Sequence, residues 1–169
     1  MTFYPRFMTK LEGSCQCGLV EFSLQSQTPV PYQLCACSIC RKCGGYGGCV
    51  NLGGIASTLE ITKGKEHIKK YTATADRGKP TAKKCTSERN FCSECASMLW
   101  LWDKTWPELI HPFASAIDTE LPIAEEMVCV KGDSKPEYVR WPEGKKNVYE
   151  GYGEFSIEGW HKEKGLWVE

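Results

Sequence analysis

The chain carries Cys15-Gln16-Cys17-Gly18 near its start and Cys92-Ser93-Glu94-Cys95 beyond its middle, and these two cysteine doublets decide the fold. A tetrahedral Zn²⁺ with Zn–S bonds of about 2.3 Å needs sulfurs roughly 3.8 Å apart, a separation that both spacings reach with modest bending of the backbone. One zinc ion shared by the doublets would have four thiolate ligands and would staple the first strand to the middle of the chain. The sequence therefore predicts a structural zinc site on Cys15, Cys17, Cys92 and Cys95.

A third cluster, Cys35-Ala36-Cys37-Ser38-Ile39-Cys40, offers three thiolates instead of four. A zinc site with three protein ligands keeps an open position, as catalytic zinc sites do, and this position accepts water or a substrate thiol. A thiol held there loses its proton readily and becomes a nucleophile. We therefore predict a catalytic zinc on Cys35, Cys37 and Cys40. The alternative is an inert site that Cys43, Cys49 or a histidine completes. None of the three histidines lies in a paired ligand spacing: His67, His111 and His161.

Composition excludes several classes of protein. The 169 residues suffice for one domain, 41% are hydrophobic and 25% are charged, as in ordinary globular proteins. Lys and Arg together number 21, as do Asp and Glu, so net charge predicts neither a nucleic acid nor an anionic membrane as partner. No apolar run approaches the length of about 18 residues that indicates a membrane span.

The cysteine count and the first residues bear on the compartment. Met1 to Gly13 contains no continuous apolar stretch and no small-residue cleavage pattern, so we expect a cytoplasmic, reducing environment. The eleven cysteines are also an odd number, which argues against a closed disulfide framework and favours metal binding.

Periodicity predicts one β-rich domain. Val20 to Gln25 alternates apolar and polar residues, which is typical of a half-buried strand. Further strands are predicted at residues 49–52, 59–62, 68–72, 98–102, 113–117 and 127–130. The polar, basic residues 73–84 are predicted to form a loop. Short helices are expected at 38–42 and at 156–164, the second capped by Ser156.

Basic residues follow the triplet directly. Arg41 and Lys42 are candidates for anchoring the carboxylates of a small anionic ligand, because a guanidinium binds a carboxylate through two parallel hydrogen bonds. Lys83 and Lys84 are placed in the predicted loop and could approach as well. The alternative is that all four are ordinary solvated surface charges.

These motifs resemble the glutathione-dependent formaldehyde-activating enzyme family, which includes the centromere protein V-like domains. The resemblance covers residues 11–140, with 141–169 as a C-terminal extension packing on the same domain, and runs through 13–22, 35–42 and 89–99. It implies a mainly β, zinc-binding architecture called a β-tent, with few short helices. It also implies a structural zinc on Cys15, Cys17, Cys92 and Cys95, and a catalytic zinc on Cys35, Cys37 and Cys40.

The resemblance further implies an enzyme activity. The family adds the thiol of glutathione to formaldehyde and yields S-(hydroxymethyl)glutathione, a carbon–sulfur lyase reaction with glutathione as co-substrate. The chain departs from the family pattern at three positions: Ala36 replaces histidine, Ala96 replaces glycine, and Cys43 replaces a small or hydroxylic residue. These departures leave both ligand sets intact and bear on the substrate. Two other functions stay open from the residues, a non-catalytic zinc module that binds a macromolecule, and redox or metal sensing through the surplus cysteines.

Overall fold

Strands and short turns dominate the chain in the computed structural model, which describes residues 8–27 and 29–168. The strands are β1 (Thr9–Ser14), β2 (Glu21–Ser26), β3 (Tyr32–Cys35), β4 (Cys49–Asn51), β5 (Gly54–Ile55), β6 (Glu60–Lys63), β7 (Ile68–Ala75), β8 (Lys83–Cys92), β9 (Met98–Trp102), β10 (Leu109–Pro112), β11 (Met127–Val130) and β12 (Lys146–Val148). The α-helices α1 (Ser38–Gly44) and α2 (Ile157–Glu163) are one to two turns long. The predicted mainly β fold with few short helices is confirmed. Neither helix is long and apolar enough to cross a membrane.

The strands form three sheets. The first is antiparallel with the order β1-β2-β6, and the second is antiparallel with the order β5-β10-β9-β8-β7. The third has the order β12-β11-β3-β4, in which β11 runs parallel to both β3 and β12. The first doublet follows the end of β1, and the second lies at the end of β8. These strands belong to neighbouring sheets, so the topology brings the distant cysteines together.

Two hydrophobic cores fill the space between these sheets. In the first, Phe22 of β2 packs edge-on against Trp100 of β9 with ring centroids 5.0 Å apart, a geometry that stabilises by about 0.5 to 1.5 kcal/mol beyond the buried area. The second core surrounds the triplet and includes Phe113 and Val130. The buried doublet cysteines Cys15 and Cys92 belong to the first core, so the two predicted metal sites lie in different cores.

The segment around Phe113 was predicted wrongly as a strand. β10 ends at Pro112 and a 3₁₀ turn follows at Ala114–Ala116, because Phe113 and Ala116 are the buried residues and lie three positions apart. That spacing suits the three-residue period of a 3₁₀ turn, whereas a strand would place the two side chains on opposite faces.

The predicted loop at 73–84 is shorter than predicted and covers only residues 76–82. β7 continues to Ala75 and β8 begins at Lys83, with Thr74 opposite Lys84 in the register. Only the turn between them is irregular. Alternation did not mark these strand ends because Thr74 and Ala75 are both half-buried and Lys83 and Lys84 are both exposed, so neighbouring residues do not alternate between a buried and an exposed face.

Specific hydrogen bonds hold α2 and the segment up to Val168. Ser156 caps α2 by accepting a hydrogen bond from the Gly159 amide at 3.0 Å, which confirms the predicted cap and adds about 1 kcal/mol of helix stability. The Gln27 side chain makes two hydrogen bonds with the backbone of Val168, of 2.6 and 2.7 Å. These contacts tie the last residues to the end of β2.

Candidate metal centres

The two doublets lie in tight turns at the ends of strands. Cys15 follows β1, and its carbonyl accepts a hydrogen bond from the Gly18 amide at 2.9 Å. Cys92 ends β8, and its carbonyl accepts one from the Ala96 amide at 2.9 Å. Each turn directs two sulfurs towards the same point between the first and second sheets.

The four doublet sulfurs fit a tetrahedral zinc ion. The Sγ atoms of Cys15 and Cys17 are 3.5 Å apart, those of Cys17 and Cys92 are 3.8 Å apart, and all four, Cys95 included, lie within 4.8 Å of one another. The Val20 amide donates to Cys15 Sγ at 3.2 Å, as donors around zinc-bound thiolates do. The tetrahedral edge for Zn–S bonds of about 2.3 Å is roughly 3.8 Å.

Ser97 adds a donor at the rim of this site. Its hydroxyl lies 3.2 Å from Cys95 Sγ, and this hydrogen bond lowers the pKa of Cys95 to about 5 although burial opposes it. Ser97 also accepts a hydrogen bond from the Gln16 amide at 3.0 Å, so one residue links the two turns.

Ala96 occupies a position that favours glycine. Its φ angle is +60°, in the left-handed region that costs a non-glycine residue about 1 to 2 kcal/mol. The turn after Cys95 keeps its left-handed backbone conformation although alanine replaces the glycine of the family pattern. Ala96 is therefore under local backbone strain.

The triplet spans the junction between β3 and α1. Cys35 is the last residue of β3, Cys37 is the N-cap of α1 with its sulfur 3.4 Å from the Cys40 amide, and Cys40 is the third residue of the helix. The three sulfurs lie within 4.8 Å of one another, and Cys35 and Cys40 are buried. This clustering fits a divalent metal bound by thiolates. Among residues 8–27 and 29–168, no fourth histidine, cysteine or carboxylate completes the cluster.

Cys49 supports the triplet from outside. It lies opposite Cys35 in the pairing of β3 with β4, and its thiol donates to the Cys40 carbonyl at 3.2 Å. Hydrogen bonds from Cys35, then Cys37 and Cys49, lower the pKa of Cys40. Cys43 is half-buried on α1, and burial raises the pKa of its thiol. Neither Cys43 nor Cys49 belongs to the cluster of mutually close sulfurs.

Arg89 is not among the site residues predicted from the sequence. This residue lies on β8 opposite Leu101 of β9, is only 5% exposed, and places Nη2 3.9 Å from Cys40 Sγ. Burial alone lowers the pKa of Arg89, but the negative charge on Cys40 outweighs it and raises the pKa. The only signal in the sequence was the position of Arg89 three residues before Cys92, which does not show that it faces the other cysteine cluster.

The predicted anchoring residues lie on α1. Arg41 donates through Nη1 to the carbonyls of Ala36 and Ser134, the second at 2.6 Å, so part of its guanidinium holds the triplet loop against the 3₁₀ turn at Gly132–Ser134. Lys42 is exposed on the same helix. Lys83 and Lys84 are exposed at the start of β8.

A second wall of the triplet comes from the segment after β11. Lys131 directly follows Val130, which pairs with Cys35, and has a left-handed φ of +62°. Its Nζ binds Asp133 at 2.9 Å and lies 5.5 Å from the centre of the Tyr152 ring.

The histidines have other roles. His111 Nδ1 contacts the Leu52 carbonyl at 3.0 Å, and burial lowers its pKa. His161 Nδ1 contacts the Ile157 carbonyl at 2.7 Å inside the C-terminal packing. His67 lies near Glu66 and Glu94 at the surface. No histidine of the described ranges joins either cysteine cluster.

The chain matches a known protein family and a named relative. Residues 10–131 match the family model described as glutathione-dependent formaldehyde-activating enzyme. The chain is 46% identical over 158 residues to a protein of Halomonas elongata, covering 92% of this chain and 97% of the relative, whose name provisionally describes it as a glutathione-dependent formaldehyde-activating enzyme.

A solved structure supports the fold. A crystal structure of a Rhodobacter sphaeroides protein matches with a TM-score of 0.52 and 21% identity, covering 66% of this chain and 91% of that one. The family match spans both cysteine clusters, so it applies to the part of the chain that carries the chemistry. The chain belongs to the glutathione-dependent formaldehyde-activating enzyme family.

Proposed function

We propose that the chain is a zinc enzyme of glutathione chemistry, in which the triplet Cys35, Cys37 and Cys40 activates the glutathione thiol for addition to formaldehyde or a related electrophile. The reverse cleavage of the carbon–sulfur bond would use the same groups, which places the activity among carbon–sulfur lyases. The doublets, Cys15 and Cys17 with Cys92 and Cys95, would hold the second zinc for stability alone.

One observation carries the proposal, the unequal number of sulfurs in the two clusters. The doublets supply four mutually close sulfurs, and the triplet supplies three, with no fourth ligand among the residues that the structure describes. Four thiolates complete a tetrahedral shell, whereas three leave a position for an exogenous ligand. Family membership supports glutathione as that ligand.

The reaction itself needs little rearrangement. A bound zinc ion would supply Lewis acidity that lowers the pKa of a thiol at the triplet. The thiol sulfur forms a bond to the carbonyl carbon, the carbonyl π electrons move to oxygen, and the proton lost from the thiol ends on that oxygen. The chain's contribution is to hold the three sulfurs in a largely buried position where the electrophile meets an oriented thiolate.

Substrate anchoring is assigned to α1. Arg41 and Lys42 follow the triplet on the same helix, and their positive charges suit the two carboxylates of glutathione. Arg41 has its Nη1 engaged with backbone carbonyls, so anchoring would use its remaining N–H groups. Lys42 is free to reach outward as an exposed side chain.

The state of the cysteines supports a reducing compartment. None of the eleven is in a disulfide, which matches an intracellular environment where glutathione is abundant. We therefore propose that the protein acts inside the cell, on a small-molecule thiol and a small electrophile.

Exchange spectroscopy by NMR tests the activity. Glutathione and formaldehyde interconvert slowly with S-(hydroxymethyl)glutathione, and the purified zinc-loaded protein is expected to raise the exchange rate. Cys40→Ser is expected to abolish the acceleration, and Cys43→Ser, on the same helix but outside the cluster, is expected to keep it. Equal exchange rates with and without wild-type protein would remove formaldehyde as the electrophile.

A further inference from the structure

Arg89 is a buried cation, and no carboxylate among the residues that the structure describes forms an ion pair with it. Its side chain lies inside the fold at 5% exposure, and its Nε and Nη1 atoms have no hydrogen-bond partner among the described residues. A guanidinium stays protonated at all ordinary pH values, and an isolated buried charge is strongly unfavourable. The compensating negative charge must therefore come from a group nearby.

The groups that face Arg89 are cysteine sulfurs. Nη2 lies 3.9 Å from Cys40 Sγ, whereas Nε and Nη1 have no hydrogen-bond partner among the described residues. β8 holds Arg89 in place through its pairing with β7 and β9, opposite Tyr71 and Leu101. A strand paired on both sides within the five-stranded sheet thus fixes the cation against the triplet.

The net charge of a metal-loaded triplet explains why a cation is needed at this contact. Metal-bound cysteines are thiolates, so the triplet carries three negative charges and a divalent cation cancels two of them. The remaining negative charge lies among buried groups, where it is unfavourable unless it is paired. Arg89 supplies one positive charge at the sulfur of Cys40, so the loaded triplet and Arg89 together are neutral.

The negative charge of the four-sulfur site is stabilised in another way. Cys17 is exposed to water, the Val20 amide donates to Cys15 Sγ, and the Ser97 hydroxyl lies within hydrogen-bond distance of Cys95 Sγ. Hydration and these dipoles spread its charge. Only the triplet is contacted by a guanidinium within the residues that the structure describes.

We propose that Arg89 is the positioning residue of the triplet, a buried counter-charge that sets how tightly Cys35, Cys37 and Cys40 hold a divalent metal and that keeps Cys40 oriented towards it. The inference rests on the proposed metal-binding role of the triplet. Arg89 acts through Cys40, because its unpartnered N–H groups are shielded from solvent and from any ligand that enters.

Metal retention tests the proposal without any activity assay. The zinc-loaded protein is dialysed against a rising concentration of a chelator, and zinc per chain is measured by mass spectrometry. Cys40→Ser identifies which of the zinc ions belongs to the triplet. In Arg89→Met the triplet zinc is expected to leave at about 10- to 100-fold lower chelator concentration, the usual effect of losing an outer-shell partner, and the doublet zinc is expected to be unchanged.

Two further variants separate charge from packing. Arg89→Lys keeps the charge and is expected to retain the triplet zinc within about threefold of wild type, and Arg77→Met removes an exposed arginine and is expected to change nothing. Wild-type retention in Arg89→Met, or equal loss from both sites, overturns the proposal. If Arg89→Met does not fold, Arg89→Lys decides, since a tenfold loss confined to the triplet would contradict the counter-charge.

A failure of the proposed function would give a different pattern of zinc loss from a failure of the role proposed for Arg89. If Cys40→Ser keeps the full zinc content of wild type, the triplet holds no metal and the function falls together with its counter-charge. If Cys40→Ser loses one zinc while Arg89→Met behaves as wild type, the function stands and the role of Arg89 falls.

Discussion

Gly48 offers a sharp test of the triplet's geometry, because it closes the turn between α1 and β4 directly over Cys35. Its amide donates to the Gly45 carbonyl at 3.3 Å, and its φ of +129° is one that L residues rarely adopt. A Cβ at this position would lie 2.0 Å from the Cys35 carbonyl oxygen and 3.3 Å from the Ala36 Cα. These neighbours are backbone atoms, so Gly48→Ala forces the triplet loop itself to move.

The magnitude follows from the contact. An ordinary contact of about 3.4 Å requires a displacement of more than 1 Å, and such overpacking costs roughly 1 to 3 kcal/mol, to which the positive φ adds about 1 to 2 kcal/mol. We expect the free energy of unfolding to fall by about 2 to 5 kcal/mol, and Tm by about 5 to 20 °C for a domain of this size. Metal sites tolerate shifts of only about 0.2 Å, so the triplet zinc is expected to be lost.

The assay combines thermal unfolding with zinc content, and Gly45→Ala is the matched control. Gly45 also has a positive φ, +93°, but a Cβ there meets no atom within 4 Å. The control is therefore expected to lose only the strain energy of about 1 to 2 kcal/mol and to keep the full zinc content. A Gly48→Ala protein that matches the control in both Tm and zinc content would refute the reasoning.

Two other predictions concern a buried ion pair and a surplus cysteine. Glu126 is 9% exposed and binds Lys145 and Lys164 at 3.1 and 3.0 Å; burial raises the pKa of its carboxyl, but the two ammonium groups outweigh burial and lower it. A lowered pKa contributes stability that is complete above the ordinary carboxyl pKa of about 4.3 and is lost as pH falls through the lower folded-state pKa. Glu126→Gln should therefore lower the free energy of unfolding by about 1 to 3 kcal/mol at pH 7, and this difference should shrink progressively as the pH falls below about 4.3. A pH-independent difference in urea unfolding would contradict the ion pair. Cys43→Ser should keep both zinc ions and change stability by less than about 1 kcal/mol, because this half-buried thiol lies outside the cluster; loss of one zinc would instead make Cys43 a ligand.

The cysteine clusters could be predicted from the sequence because ligand spacing is a local property. The separations within Cys15-Gln16-Cys17 and within Cys92-Ser93-Glu94-Cys95 already limit where the sulfurs can point. The cap at Ser156 is local in the same sense. Each of these features depends on a few adjacent residues, and the structure keeps each one.

Features that depend on register or tertiary contact could not be predicted in this way. Arg89 faces the triplet because β8 pairs between β7 and β9, and a sequence motif that ends in Cys92 gives no hint of this contact. Cys49 reaches the Cys40 carbonyl because β4 pairs with β3. The pairing of strands decides both, and it is set by the whole sheet.

The central claim, that the triplet accepts a thiol and the doublets do not, is tested most directly by titrating glutathione into protein produced with Co²⁺ in place of zinc. Sulfur-to-cobalt charge-transfer absorption reports each added thiolate. The expected result is an absorption increase that saturates with one glutathione per chain, is missing in Cys40→Ser, and is not produced by S-methylglutathione, which has no free thiol. An unchanged spectrum in the wild type, or the same increase in Cys40→Ser, would contradict thiol binding at the triplet.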